Sequence, residues 1–116
     1  MKRSLLLIIS GDPRHSARPA EAVRIAAGIL PWGQLRVQVC FRKAGVLALD
    51  SRSEDWKGGD IFLRHLPAIA QHSKVIWAEK DSPFIDELGE AIVNFENVSS
   101  SQLAQMAAES DCVMHF

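Results

Sequence analysis

The side chains in this sequence that can do chemistry are two cysteines, four histidines, and scattered basic and acidic residues near the ends of apolar runs. Cys40 stands in "VQVCFRKAG", on the same strand face as Arg36, Gln38 and Arg42. Positive charge close to a thiol lowers its pKa and favours the nucleophilic thiolate, so Cys40 is a candidate catalytic residue. A free cysteine is also commonly buried as a small hydrophobe, and structural packing stays open beside the functional thiol. Cys112 alternates with Met114 and Phe116 and is expected in the core.

Anion binding is the second chemistry on offer. "GDPRHSARP" leads into a helix start whose free amides and dipole favour negative charge, and Arg14 and Arg18 add cations. An ordinary solvated loop is the alternative. Neither GxGxxG nor GxxxxGK[ST] occurs, so a cradled dinucleotide or triphosphate is not supported, and no cofactor is expected. No metal is expected either: His65 and His72 are separated by about two helical turns, roughly 10 Å, too far to share an ion without other ligands. His15 and His115 lack a third ligand. A GxSxG elbow and a clear Ser/His/Asp set are both missing. Only Asp12 follows the first strand where a receiver domain would cluster acids, and "SGDPRHSARP" is a poor flavodoxin phosphate loop.

These residues need elements to position them. Short apolar runs alternate with helical stretches, the pattern of βα units building a parallel sheet with helices on both faces. Leu5 to Ser10 reads as a central strand, Arg18 to Leu30 as a helix with Pro19 early and Pro31 and Gly33 at its end, and Leu35 to Phe41 as a strand with one less apolar face. Asp50 to Asp60 reads as a mobile polar loop. Ile61 to Gln71 is expected helical, with Pro67 kinking or dividing it. Lys74 to Ala78 and Ala91 to Phe95 are the expected third and fourth strands. Between them Ser82 and Pro83 start a short helix that Gly89 closes. Ser99 and Gln102 have capping-box spacing ahead of a final helix, and "CVMHF" is the fifth strand.

In an open parallel sheet ligands bind outside the carboxyl ends of the strands. That rule selects Asp12, Arg14, His15 and Ser16 after the first strand, Arg42, Lys43 and Gly45 after the second, and Glu79, Lys80 and Asp81 after the third. It adds Glu96 and Asn97 after the fourth, and His115 at the end of the fifth.

Composition sets the bounds. With 116 residues, 47% hydrophobic and 23% charged, the chain fits one globular domain over 1–116. Thirteen basic residues against 14 acidic ones, scattered along the chain, do not make a nucleic-acid footprint. "MKRSLLLIIS" mimics a signal peptide, but its apolar run is short and meets Asp12, Pro13 and Arg14 rather than a small-residue cleavage site. No stretch approaches the roughly 20 apolar residues that span a membrane. A reducing cytoplasm is expected, since no disulfide framework or CxxC is present. The first helix has only Glu21, Arg24 and Gly28 to interrupt its apolar residues, a narrow polar stripe that either a second subunit covers or alanine richness explains.

Together these segments resemble the DsrE/DsrF/DsrH (TusBCD-like) family of small sulfur-relay proteins. "SLLLIISGDPRHSARPAEAVRIAAGI" is similar to the family's first strand, loop and alanine-rich helix. "VQVCFRKAGVLAL" is similar to its second strand and Gly-Val turn, here Gly45 and Val46, and "VSSSQLAQMAAESDCVMHF" to its closing helix and strand. The resemblance implies a three-layer α/β/α sandwich with a five-stranded parallel sheet, flavodoxin-like. It also implies assembly as a homo-oligomer (dimer or trimer) or a hetero-oligomer with related subunits. Members that relay sulfur carry a cysteine near the end of the third strand, held as a persulfide. Here Ala78, Glu79 and Lys80 occupy that neighbourhood. The resemblance therefore implies a subunit without the relay cysteine, non-catalytic or binding a small ligand. Two alternatives stand beside it: a sulfurtransferase-like carrier using Cys40, and a small-anion module using the loop after the first strand.

Overall fold

Each residue from Leu5 to Ile9 is apolar, which suits a strand covered on both faces, and all five are buried in β1 (Arg3–Ile9). In the computed structural model, which describes residues 2–73 and 75–116, β1 lies inside the sheet. It pairs in parallel with β2 (Leu35–Phe41), from Arg3 opposite Leu35 to Ile9 opposite Phe41, and with β5 (Cys112–His115). β3 (Trp77–Glu79) joins β2, and β4 (Glu96–Val98) joins β3. The result is a five-stranded, all-parallel sheet in the order β4-β3-β2-β1-β5.

The period of two along each strand decides which helix it meets. Leu5, Leu7, Ile9, Val37, Val39 and Phe41 pack under α1 (Arg18–Ile29) and α2 (Gly59–Ser73), which supply Val23, Phe62, Leu66 and Ile69. Leu6, Ile8, Cys40 and Val98 face the other way, onto Leu103 of α3 (Ser100–Glu109). This is a three-layer α/β/α sandwich of flavodoxin-like type with unequal cover: two helices on one face and one on the other. The expected capping box starts α3, with Gln102 N–H donating to Ser99 Oγ (3.2 Å) and Ser99 N–H to Gln102 Oε1 (2.9 Å). The chain crosses from one edge of the sheet to the other between β4 and β5, so connections leave the carboxyl ends of the strands toward both faces.

Several elements differ from the sequence expectations. The run 91–95 is not a strand: Ala91 makes one antiparallel bridge to Asp50, while Ile92, Val93 and Phe95 pack sideways on the core, and pairing starts only at Glu96. The third strand is likewise later than expected, and Lys74, its expected start, lies outside the described residues. Residues after Ser82 form a 3-10 turn, Ile85–Glu87, in place of a capped helix. The expected loop over 50–60 is ordered into a 3-10 turn, Ser51–Asp55, and the start of α2, because Asp50 is buried and tied down. Pro67 does not divide α2; it lies on the exposed side, where water can solvate the carbonyl it frees. Cys112 is exposed, because β5 is an edge strand and α1 packs over β1 and β2. Among the described residues no helix is long and apolar enough to cross a membrane.

Candidate functional site

The carboxyl ends of β1, β2 and β3 hold the groups with chemistry, in two clusters. The first begins where β2 ends. Arg42 N–H donates to the Ile9 carbonyl (2.8 Å), and the chain then turns over the end of β1 with Gly45 N–H on the Arg42 carbonyl (2.8 Å). Gly45 lies so close to the Ile9 carbonyl that a Cβ would collide with it, a physical reason for glycine there. Lys43 takes a left-handed conformation, φ 50°, unfavourable for a side chain with a Cβ. Its N–H thereby meets Glu79 Oε1 at 3.2 Å, while Arg42 Nε donates to Glu79 Oε2 at 2.9 Å. Ser82 Oγ donates to the Lys43 carbonyl (2.8 Å) and holds the turn from the other side. Glu79 is thus a buried carboxylate with both oxygens engaged. The side chains of Lys43 and Lys80 are exposed, and Lys80 is placed by its N–H on the Val98 carbonyl (2.9 Å).

Cys40 sits behind this cluster, fully buried between the sheet and α3. Burial, and then the charge of Glu79, push its thiol up to about 12; Arg42 acts the other way and less strongly. The arginine expected to activate the thiol is held by Glu79 instead.

The second cluster contains a repeated device. Asp12 accepts from Arg14 N–H (2.9 Å) and Arg14 Nε (3.0 Å) on Oδ1 and from Arg14 Nη2 (2.8 Å) on Oδ2. Asp50 accepts from the same three donors of Arg52, at 2.8, 2.9 and 2.6 Å. An Asp-x-Arg triplet has closed on itself twice with the same bonds. Each arginine's side-chain hydrogen bonds hold its aspartate below the usual carboxylate range. Asp50 is fully buried and also accepts from Gly89 N–H (3.1 Å), whereas the Arg52 side chain is 66% exposed. Arg14 lies over the Phe84 ring, 5.6 Å from its centroid.

Both arginines border one cleft of about 360 Å³, whose other walls are Leu47, Asp55, Trp56 and Glu87. The structure thus separates the residues proposed from sequence. Arg14, held by Asp12, borders the cleft; Arg42, Lys43, Gly45 and Glu79 form the Glu79 cluster. His15 is exposed, with its N–H on the Asp12 carbonyl (3.0 Å). Ser16 Oγ accepts from Arg18 N–H (3.2 Å), occupying an amide at the start of α1, and Arg18 Nη2 donates to the His115 carbonyl (3.1 Å). Sequence reasoning missed Asp50, Arg52, Asp55, Trp56 and Glu87. The signal for the first two was present in the recurrence of Asp-x-Arg at 12–14 and 50–52. Among the described residues no group of three or more His, Cys, Asp or Glu is placed to hold a metal ion.

No family model matches the chain. No curated protein matches it in sequence. Among solved structures it is similar to the crystal structure of the YchN protein from E. coli, with a TM-score of 0.79, all of both chains covered and 18% of residues identical. What this likeness shows is the fold, the α/β/α sandwich around a parallel sheet described above.

Proposed function

We propose that this chain is a DsrE-like subunit that does not carry sulfur, and that it works as a small-ligand-binding member of a cytoplasmic homo-oligomer or of an assembly with related subunits in sulfur transfer. The observation that carries this reading is Glu79. By the resemblance a relay thiol would stand near the end of the third strand, and there a buried carboxylate holds the guanidinium of Arg42 and the amide of Lys43. A persulfide carrier needs an accessible sulfur that ionises readily. Cys40 is buried with its thiol pushed up to about 12, and Cys112 opens β5 opposite Leu5, toward the amino-terminal end of the sheet. Free thiols at both positions suit a reducing compartment.

The test is sulfur loading. The purified chain is exposed to a sulfur donor under conditions that load a control carrier, then analysed by persulfide-selective labelling and intact mass. The expected result is no sulfur adduct at Cys40; an adduct there would favour a carrier instead. Light scattering at micromolar concentration checks the assembly, and a mass of 12.8 kDa would count against the homo-oligomer.

A further inference from the structure

The cleft between the two Asp-x-Arg clasps is built from three separate connections: Arg14 follows β1, Leu47, Arg52, Asp55 and Trp56 follow β2, and Glu87 follows β3. Its walls carry both signs of charge in different states. Each guanidinium is fixed by its aspartate through Nε and Nη2, and Arg52 Nη2 also reaches the Glu87 carbonyl (3.3 Å). In both arginines the Nη1 edge has no hydrogen-bond partner among the described residues, so two sets of donors are held in place before any ligand arrives. Because the clasps are anchored by carboxylates, the cost of ordering these long side chains is met in the fold rather than on binding. Asp55 and Glu87 behave differently: neither side-chain carboxylate has a hydrogen bond or an ion pair among the described residues. Trp56, half-buried, and Leu47, buried, supply an apolar wall.

We propose that this cleft binds a small zwitterion of the α-amino acid class, its carboxylate on the free guanidinium edges of Arg14 and Arg52 and its ammonium on Asp55 and Glu87. A simple anion meets two unpaired carboxylates and a simple cation meets two guanidiniums, whereas a zwitterion satisfies both. The volume stands near the lower end of the range for ligand pockets, which fits a single amino acid and excludes a dinucleotide. Leu47 and Trp56 favour an apolar side chain on the ligand.

This assignment rests on the reading of the chain as a binding subunit, and the two fail separately. The full chain is titrated calorimetrically with each free L-amino acid, with acetate and methylamine as carboxylate-only and ammonium-only controls. The expected result is saturable binding of at least one apolar amino acid and none of either control. Arg14→Gln should weaken it about tenfold or more, the scale of one lost charge-assisted hydrogen bond. Arg52→Gln strips a buried aspartate of its partner and can unfold the chain, so the second arm leaves both clasps intact. In the double variant Asp55→Asn, Glu87→Gln, amino acid binding should also weaken about tenfold, and the preference over acetate should disappear. Silence across the amino acid panel, equal binding of acetate to the unaltered chain, or unchanged amino acid binding in the double variant overturns the site. Sulfur uptake at Cys40 overturns the binding-subunit reading whatever the titration gives.

Discussion

Asp50→Ala should be among the most damaging single changes in this protein, and its size follows from the bonds it removes. The buried carboxylate takes the backbone N–H groups of Arg52 (2.8 Å) and Gly89 (3.1 Å), both in part-buried hydrogen bonds. Hydrogen bonds to a charged group contribute about 1.5–3 kcal/mol each, so losing both costs about 3–6 kcal/mol. The Arg52 guanidinium is mostly in water already and adds no figure of its own. By accepting from Gly89 N–H the same side chain ties the chain after β2 to the chain after β3, so the loss is felt on two connections. Urea unfolding followed by circular dichroism and tryptophan fluorescence measures it. With a slope of about 1–3 kcal/mol per molar, the midpoint should fall by at least about 1 M. The dependence on pH has a definite sign. A carboxyl whose folded pKa is depressed stabilises the protein above the unfolded value near 4, and the benefit is lost as pH falls through the depressed folded value. The gap between the parent and Asp50→Ala should therefore be full at neutral pH and shrink in acid below about pH 4. A neutral-pH loss under about 1 kcal/mol, or a gap that widens in acid, would refute the account of Asp50 as a buried, ionised anchor.

The remaining expectations concern the turn after β2 and the thiols. Gly45→Ala places a methyl against the Ile9 carbonyl and should lower stability by about 2 kcal/mol, read as a drop in Tm; an unchanged Tm would mean that the turn has room. Lys43→Gly relieves the left-handed backbone and should gain up to about 1 kcal/mol after the entropy of glycine is counted, and a net loss in urea would contradict this. Under native conditions iodoacetamide should modify Cys112 and leave Cys40 untouched until the chain unfolds, which peptide mass mapping resolves. Glu79→Gln removes a charge that raises the Cys40 pKa, yet burial is the larger cause, so Cys40 should stay silent toward iodoacetamide in the folded variant. Rapid modification there would show that charge, rather than burial, keeps the thiol unreactive.

The sheet was legible from sequence because its strongest signals are local. A run with every position apolar, as in Leu5 to Ile9, has few homes except a central strand, and the alternation over Leu35 to Phe41 fixes which residues face which layer. The failures lie where contacts distant in sequence, polar or apolar, or the order of the strands decide the local structure. Nothing in "DSRSEDWKGGD" says that its first aspartate is buried, because the Gly89 amide it captures is distant in sequence. "AIVNF" has the composition of a strand, yet its apolar groups serve as a side wall of the core, and only tertiary packing separates those uses. Cys112 was misplaced for a related reason: alternation identifies a face of a strand, but whether a helix covers that face at the sheet's edge depends on strand order, which alternation does not contain.

The carboxyl end of the sheet also turns out to be electrically different from its composition. Arg14, Arg42 and Arg52 suggest a positive rim in which an anion or a thiolate would be welcome. Each instead meets a carboxylate at 2.6–2.9 Å: Asp12, Glu79 and Asp50 respectively. Two consequences follow from the same pairing. A thiol at this end gains little help in ionising, since the cation nearest Cys40 is already matched by a carboxylate that opposes the thiolate. A ligand, by contrast, can still use the guanidinium edges that the carboxylates leave free, and it encounters them already oriented. The pairs thus trade net charge for fixed geometry, and what such a rim recognises is the arrangement of charge on a small molecule rather than the total.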